Sequence, residues 1–195
     1  LRDNISFSNG GAIWSSNGSL VIRNSTLTGN SVGDFGVGGA IHIQGLGVSA
    51  LIENSTITNN SGPNGGGIYI NMGGTTTIRN TTISGNSATA NGGGIMATFG
   101  TVDISFSTIA NNSNGNLYSD SGPTINLAAT ILADAQGGAD CATTTPHTFF
   151  DNGFKLFEVF DNHSAAIGKY YADWEFNSNY IAVFTPAGLP IRRSF

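Results

Sequence analysis

The chain has 195 residues, of which 39% are hydrophobic and only 10% are charged, and this length is typical of one domain that can carry an appendage. Its formal net charge of −5 argues against nucleic acid as a partner. It contains no run of about 18 apolar residues, so the sequence predicts no membrane span.

The first nine residues read as the end of a repeat unit, and the next unit opens at Gly10. Stacked units need a cap over the first unit, because its apolar end and its strand edges otherwise stay exposed. No cap is visible ahead of Gly10. We therefore expect a fragment, a processed product, one module of a longer surface protein, or a chain whose start is missing.

Residues 10–132 repeat with a period of about 27 residues, which indicates a repeat architecture. Isoleucines that follow glycine pairs mark the units: Ile13, Ile41, Ile68 and Ile95. Each unit holds three short runs of alternating apolar and polar residues, which predict three strands separated by turns. The predicted fold class is all-β, a parallel β-helix (solenoid) of about five coils stacked roughly 4.8 Å apart. The rule for crossovers between parallel strands makes it right-handed.

The alternation assigns side chains to the inside or the outside of the coils. Two internal ladders are predicted: Ile22, Ile52, Ile78 and Ile104, and Leu27, Ile57, Ile83 and Ile109. The outward positions beside the repeated isoleucines form a predicted stripe along one sheet face: Trp14, His42, Tyr69 and Met96. Turn asparagines form a structural ladder that we expect to satisfy turn backbone groups and neighbouring amides: Asn30, Asn60, Asn86 and Asn112.

These motifs resemble those of a known group of proteins. The G-G-[AG]-I motif, followed by a β-run and an F/T-x-x-N element, is similar to the repeats of polymorphic outer membrane proteins and related bacterial right-handed parallel β-helix surface proteins. The N-S-T-I-x-x-N and I-L-A-D segments and Asp140-Cys141 also resemble bacterial "choice-of-anchor" β-helix proteins. The resemblance covers roughly residues 1–141. It implies a bacterial surface protein, since these families are mostly adhesins or uncharacterised surface proteins, and it brings no catalytic motif.

The stripe of Trp14, His42, Tyr69 and Met96 is the predicted ligand- or partner-binding surface. Aromatic side chains on a β-helix suit stacking on sugar rings, because a ring face is apolar and flat. The same stripe could equally contact another protein or lie under the C-terminal segment. The sequence leaves these three readings open.

Two other outward patterns have simple structural interpretations. Arg23, Glu53 and Arg79 occupy one outer position in successive coils and predict an exposed ion-pair ladder worth ~0–1 kcal/mol per pair. Threonines two residues apart recur on one face, in an array that decays along the chain: Thr26, Thr28, Thr56, Thr58, Thr82 and Thr108. Threonine is a good strand former, so ice binding by this array is a minor alternative.

The composition shifts near residue 133, where glycine becomes scarce and aromatic residues become frequent. We assign residues 1–135 to the repeats and residues 136–195 to an aromatic-rich segment that caps the last coil or docks onto another chain. Cys141 is the only cysteine, so no internal disulfide can form. A bridge from Cys141 to a missing segment or another chain stays open.

Catalysis is the main alternative to a structural role, because many parallel β-helices are polysaccharide lyases or glycosidases. Such enzymes need converging carboxylates or a calcium site. Glu53 and Asp103 lie two coils apart and out of register, so they form no pair. The later part of the chain is richer in titratable groups: Asp134, Asp140, His147, Asp151, Glu158, Asp161 and His163. No catalytic residue, cofactor or metal site is predicted.

The sequence therefore favours a non-enzymatic extracellular or cell-surface protein of a bacterium, with an adhesive or structural role. Stacked coils with open ends can pair, so filament formation is a variant of this role. The predicted partners are other protein chains or copies of itself, end to end or laterally, with a glycan as a further candidate. The alternative is a carbohydrate-active enzyme.

Overall fold

The computed structural model describes most of residues 1–143, and every element in it is a β-strand. The described ranges are 1–47, 49–71, 74–143, 149–151, 156–158, 183–184 and 190–191. Within these ranges no helix is long and apolar enough to cross a membrane.

The strands form four parallel sheets, and a coil contributes at most one strand to each. Sheet 1 contains β1 (Ile5–Ser6), β5 (Ser31–Val32), β9 (Ser61–Asn64) and β13 (Ser87–Asn91). Sheet 2 contains β2 (Ile13–Ser15), β6 (Ile41–Gln44), β10 (Ile68–Asn71), β14 (Ile95–Ala97), β17 (Leu117–Ser119) and β20 (Cys141–Thr143). Sheet 3 contains β3 (Ser19–Arg23), β7 (Ser49–Glu53), β11 (Thr75–Arg79), β15 (Thr101–Ser105), β18 (Thr124–Ala128) and β21 (Phe149–Asp151). Sheet 4 contains β4 (Thr26–Thr28), β8 (Thr56–Thr58), β12 (Thr82–Ser84), β16 (Thr108–Ala110), β19 (Ile131–Ala133) and β22 (Leu156–Glu158). An antiparallel pair, β23 (Val183–Phe184) and β24 (Pro190–Ile191), follows.

Equivalent residues of successive coils lie side by side, as the repeat predicts. Ile41 pairs with Ile68, and Ile68 pairs with Ile95. The predicted parallel β-helix of about five coils is therefore confirmed. Strands β20, β21 and β22 pair onto β17, β18 and β19, so the parallel stack continues beyond residue 135. Most of the remaining chain lies outside the described residues, and its capping or docking role stays a prediction.

The first coils contain a fourth strand that the sequence did not predict. Sheet 1 strands follow the turn asparagines, and Ser31 of β5 pairs with Ser61 of β9. These strands are short and polar, so they lack the apolar alternation by which a strand is recognised in a sequence. They are strands because the neighbouring coil offers them backbone partners.

The interior is filled by stacked aliphatic ladders. Both predicted ladders are buried, and several members have no measurable exposure: Ile52, Ile57, Ile78, Ile83 and Ile109. Burying one such side chain stabilises the fold by about 1.5–3 kcal/mol. The stack, rather than any single coil, therefore forms the hydrophobic core.

The two glycines of each pair are required for different reasons. Gly38 has a φ of +72°, a left-handed conformation that glycine adopts without steric cost. At Gly39, a Cβ atom would lie 2.1 Å from the carbonyl oxygen of Gly66 in the next coil. The first glycine makes the turn possible, and the second allows the backbones of adjacent coils to approach.

Candidate functional site

The predicted stripe forms a continuous row on the outer face of sheet 2. Trp14 pairs with His42, His42 with Tyr69, and Tyr69 with Met96. The rings of Trp14 and His42 are stacked with centroids 6.4 Å apart, and those of His42 and Tyr69 meet edge to face at 5.3 Å. Met96 in turn pairs with Tyr118, which extends the row by one coil. Tyr118 was not predicted from the sequence, because the glycine pair that marks each unit is lost before Leu117.

The members of this row, hereafter called the aromatic row, alternate in exposure along the stack: Trp14, His42, Tyr69, Met96 and Tyr118. Trp14 is 56% exposed, whereas His42 is 2% and Met96 7% exposed. Tyr69 and Tyr118 are partly exposed. Accessible rings therefore recur at every second coil, with buried side chains between them.

The polar atoms of His42 are buried without partners. Both ring nitrogens are inaccessible to solvent, and neither makes a hydrogen bond. Burial lowers the pKa of His42 to about 4, because the charged imidazolium would lose its hydration. The ring is therefore neutral at pH 7.

A second, polar row lies beside the aromatic row, two residues further along the chain in each coil, at or just after the end of the strand. Its members are Gln44, Asn71, Thr98 and Asp120. Gln44 pairs with Asn71, and the Thr98 hydroxyl donates to Asn71 Oδ1 at 3.0 Å. Within the described ranges, neither the Gln44 amide nor the Asn71 amino group makes a side-chain hydrogen bond. Sequence reasoning missed this row because these residues share no type and become neighbours only through the strand register.

The predicted charge ladder is present in sheet 3, and its carboxylate is more buried than expected. Glu53 lies between Arg23 and Arg79 and accepts hydrogen bonds from both, with Arg79 Nε at 2.5 Å. Glu53 is 7% exposed because the two arginine side chains cover it. The hydrogen bonds from Arg79 and Arg23 hold the pKa of Glu53 below its usual range.

The four predicted ladder asparagines form a buried, hydrogen-bonded column, hereafter the asparagine column. Asn30, Asn60, Asn86 and Asn112 are at most 1% exposed. Each side-chain amide donates to the side-chain oxygen of the next asparagine, as Asn60 does to Asn86 at 2.9 Å. The same oxygen of Asn86 accepts the backbone N–H of Asn60 at 3.0 Å, and the Asn86 amide also donates to the Ile57 carbonyl at 2.9 Å. Each amide thus uses its donors and accepts two hydrogen bonds.

The asparagine column is longer than predicted at both ends. The Asn4 amide donates to Asn30 Oδ1 at 2.8 Å, and the Asn112 amide donates to Asn116 Oδ1 at 2.7 Å. Asn116 donates to Asp140 Oδ1 at 2.6 Å, and that oxygen also accepts the Ala135 N–H at 2.9 Å. The last described member is therefore a carboxylate, which when ionised accepts hydrogen bonds and donates none.

Three carboxylates of the coils accept hydrogen bonds from residues of neighbouring coils. Glu53 binds two arginines, Asp140 accepts from the asparagine column, and Asp103 Oδ1 accepts from the Asn126 amide at 2.6 Å. In the described part of the chain, no group of three or more His, Cys, Asp or Glu side chains could hold a metal ion. Some titratable residues noted in the sequence lie outside the described residues: His147, Asp161 and His163.

The threonines and the cysteine occupy ordinary positions in the coils. Thr26, Thr56, Thr82 and Thr108 align in register on sheet 4, and the row then ends at Ile131. Cys141 pairs with Leu117 in sheet 2 and packs against the hydrophobic core. Its place on the inner side favours a packing role over a bridge to another chain.

Comparison with known families gives a match over most of the chain. Residues 1–167 match the family model described as "Right handed beta helix region". The match includes all the strands of sheets 1 to 4. Neither the curated proteins nor the solved structures contain a match to the chain.

Proposed function

Because the chain belongs to the right-handed β-helix family, we propose that it is a non-enzymatic β-helix protein of the bacterial cell surface or extracellular space. Its role is adhesive or structural, and its relatives are the polymorphic outer membrane protein and choice-of-anchor types. Its partners are other chains, copies of itself, or surface glycans. The outer face of sheet 2 is the contact surface.

The observation that carries this proposal is the use of polar side chains to join one coil to the next. The asparagine column runs from Asn4 to Asp140 along the stack. Glu53 joins three coils through its two arginines. Fully paired buried polar groups of this kind make a fold rigid and specify one arrangement. A stiff rod that presents a fixed outer face suits a stalk or an adhesin.

The carboxylates support the same proposal over the enzyme alternative. A glycosidase needs two carboxylates that face a substrate, and a lyase needs a base beside a cation or a second charge. Glu53, Asp103 and Asp140 instead accept hydrogen bonds from protein groups. These hydrogen bonds favour a role in holding neighbouring coils together.

Surface labelling of intact producing cells tests the proposal. An antibody against the coils should label unpermeabilised cells or detect the protein in the medium. Labelling only after permeabilisation would overturn the localisation. Release of reducing ends or unsaturated products from neutral or acidic polysaccharides by the purified protein would overturn the non-enzymatic role.

A further inference from the structure

We propose that Asn17 is a self-modification site, at which the backbone nitrogen of Gly18 attacks the Asn17 side-chain amide and converts the residue to aspartate or isoaspartate. Asn17 and Gly18 lie in the turn that joins β2 to β3. Four other asparagines of the described chain also precede glycine, but they lie within the stacked turns: Asn9, Asn64, Asn91 and Asn114. The contrast between these two environments supports the inference.

The reaction requires only the chain itself and water. The backbone nitrogen of the following residue loses its proton and bonds to the side-chain Cγ, and ammonia leaves as the amide C–N bond breaks, which gives a five-membered succinimide ring. Water then opens the ring at either carbonyl. One opening gives aspartate, and the other gives isoaspartate, in which the main chain runs through the side-chain carbon. Glycine favours the attack because it has no Cβ atom to obstruct it.

Both reacting groups are accessible in the turn that contains Asn17. Asn17 and Gly18 are exposed, as are Ser16 and Ser19 on either side. A Cβ atom placed on Gly18 would meet nothing within 4 Å, and Gly18 has a φ of +84°. Within the described ranges, neither the Asn17 amide nor the Gly18 N–H makes a hydrogen bond. The nitrogen and the amide can therefore approach each other without breaking a contact between coils.

Three of the other asparagine–glycine pairs are held by the next coil. In each pair the glycine N–H donates to a backbone carbonyl: Gly10 to Val37 at 3.0 Å, Gly65 to Asn91 at 3.1 Å, and Gly92 to Asn114 at 2.9 Å. All three glycines are buried. A nitrogen that is held towards the next coil cannot attack its own neighbour's side chain until that hydrogen bond breaks, which costs about 0.5–1.5 kcal/mol even before the turn is exposed.

The fourth pair is held by its side chain. The Asn114 amide donates to the Ala88 carbonyl at 2.7 Å, so the group under attack is fixed to the preceding coil. Gly115 is buried, and a Cβ atom on Gly138 would lie 2.6 Å from the Gly115 nitrogen. The stacking of the coils therefore protects this pair as well.

Conversion at Asn17 changes the chain without breaking the stack. Either product adds one negative charge at the turn, and isoaspartate also adds a methylene group to the main chain. The Asn17 side chain makes no hydrogen bond to another coil in the described structure, so the modified chain stays folded. The state of Asn17 thus records the age of the folded protein, whereas conversion at the four protected asparagines records unfolding.

Peptide mapping of the aged protein tests the proposal. The folded protein is incubated at pH 8 in water enriched in the heavy oxygen isotope, digested after arginine and sequenced by mass spectrometry. The fragment of residues 3–23 contains both Asn9 and Asn17, so the two sites are compared within one peptide. We expect Asn17 to convert at least about tenfold faster than Asn9, to carry the heavy oxygen, and to yield isoaspartate as well as aspartate.

Unfolding and substitution provide the controls. In concentrated urea the four protected asparagines should convert within severalfold of the rate at Asn17, because no coil then holds them. The variant Asn17→Gln should form no product at position 17, since glutamine would have to close a larger ring, and should leave the rate at Asn9 unchanged. Thermal unfolding checks that the variant is folded. A further pair, Asn152-Gly153, lies outside the described residues and is scored separately.

Three outcomes would overturn the inference. The first is conversion of the folded chain no faster at Asn17 than at Asn9. The second is a difference between the sites that persists in urea, because local sequence and not the stacking of the coils would then set the rates. The third is aspartate at position 17 without the heavy oxygen, which would not come from succinimide opening during the incubation.

Discussion

The asparagine column and the outer face of sheet 2 contain equally buried polar groups with opposite hydrogen-bonding states. Asn86 is 1% exposed and has a partner for each of its side-chain donors and for its oxygen. His42 is 2% exposed and has a partner for neither ring nitrogen. A satisfied buried polar group stabilises the scaffold, whereas an unsatisfied group lowers stability and calls for another explanation. The contrast separates the part of the molecule that holds the coils together from the outer face that is proposed as the contact surface.

The largest effect is expected from breaking the asparagine column at Asn86. Asn86→Ala removes the acceptor of the Asn60 backbone N–H and one of the two acceptors of the Asn60 side-chain amide, and leaves Asn112 Oδ1 without one donor. We expect a loss of on the order of 3–5 kcal/mol in the free energy of unfolding, measured by urea denaturation. The matched control is Asn80→Gly, at an exposed turn position with a φ of +47° that glycine adopts freely; it removes only one exposed hydrogen bond, to Asn54 Oδ1, and should change stability by less than about 1 kcal/mol. Equal losses for the two variants would contradict the structural role of the column.

A smaller loss is expected at the last described member of the column. Asp140→Ala removes the acceptor for the Asn116 amide and the Ala135 N–H. We expect a loss of about 1–2 kcal/mol in urea denaturation. Asp140→Asn keeps an oxygen acceptor and should lose less. If Asp140→Asn were the more damaging change, the negative charge, and not hydrogen-bond acceptance, would be the property that matters.

Replacing His42 should sharpen the contrast by removing the unsatisfied groups. The pKa of His42 is lowered from 6.5 to about 4 in the folded chain, so between these values the unfolded chain binds a proton that the folded chain does not. The free energy of unfolding of the parent is therefore unaffected by this titration above about pH 6.5 and decreases as the pH falls towards 4. We expect His42→Phe to be more stable than the parent by about 1 kcal/mol at pH 7, with a larger difference at pH 4.5. Urea denaturation at both pH values measures this, and an unchanged difference between them would show that His42 is not the titrating group.

The smallest effect concerns an outer turn position that carries an exposed Phe106 where earlier coils carry asparagine. Phe106 has a φ of +50°, as Asn54 and Asn80 do at the equivalent turns. Asparagine tolerates this left-handed conformation better than phenylalanine does. Phe106→Asn should therefore raise the free energy of unfolding by about 0.5–1 kcal/mol in urea denaturation. A loss of stability would mean that the exposed ring makes a favourable contact that outweighs the backbone preference.

Much of the fold could be predicted because stacked coils force equivalent positions to share one environment. The repeated isoleucines and asparagines predict the inner ladders, and their spacing gives the number of residues in a coil. The prediction failed where this equivalence ends. Asn116 and Asp140 continue the asparagine column from the positions just before Leu117 and Cys141, whereas Asn86 and Asn112 occupy a turn after sheet 4. A period alone could not identify them.

Only part of the candidate site could be predicted from the sequence. The alternation placed Trp14, His42, Tyr69 and Met96 on one face, and the strand register confirms that alignment. The alternating exposure of these side chains depends on neighbours in space, and the polar row of Gln44 and Asn71 depends on the strand register. Whether the face binds a ligand stays a prediction.

The asparagine column has a consequence for how the length of this protein could evolve. Asn60, Asn86 and Asn112 follow one another at intervals of 26 residues. Each accepts a side-chain hydrogen bond from the asparagine before it and donates one to the asparagine after it. A duplicated copy of one such interval, inserted in frame, would find its amide and oxygen partners already in place, and the glycine pair would again allow the close approach. Unequal recombination between repeats could therefore lengthen or shorten the rod by whole coils without new compensating substitutions. Each added coil would also lengthen the outer face of sheet 2, so the length of the stack and the area of that face would change together.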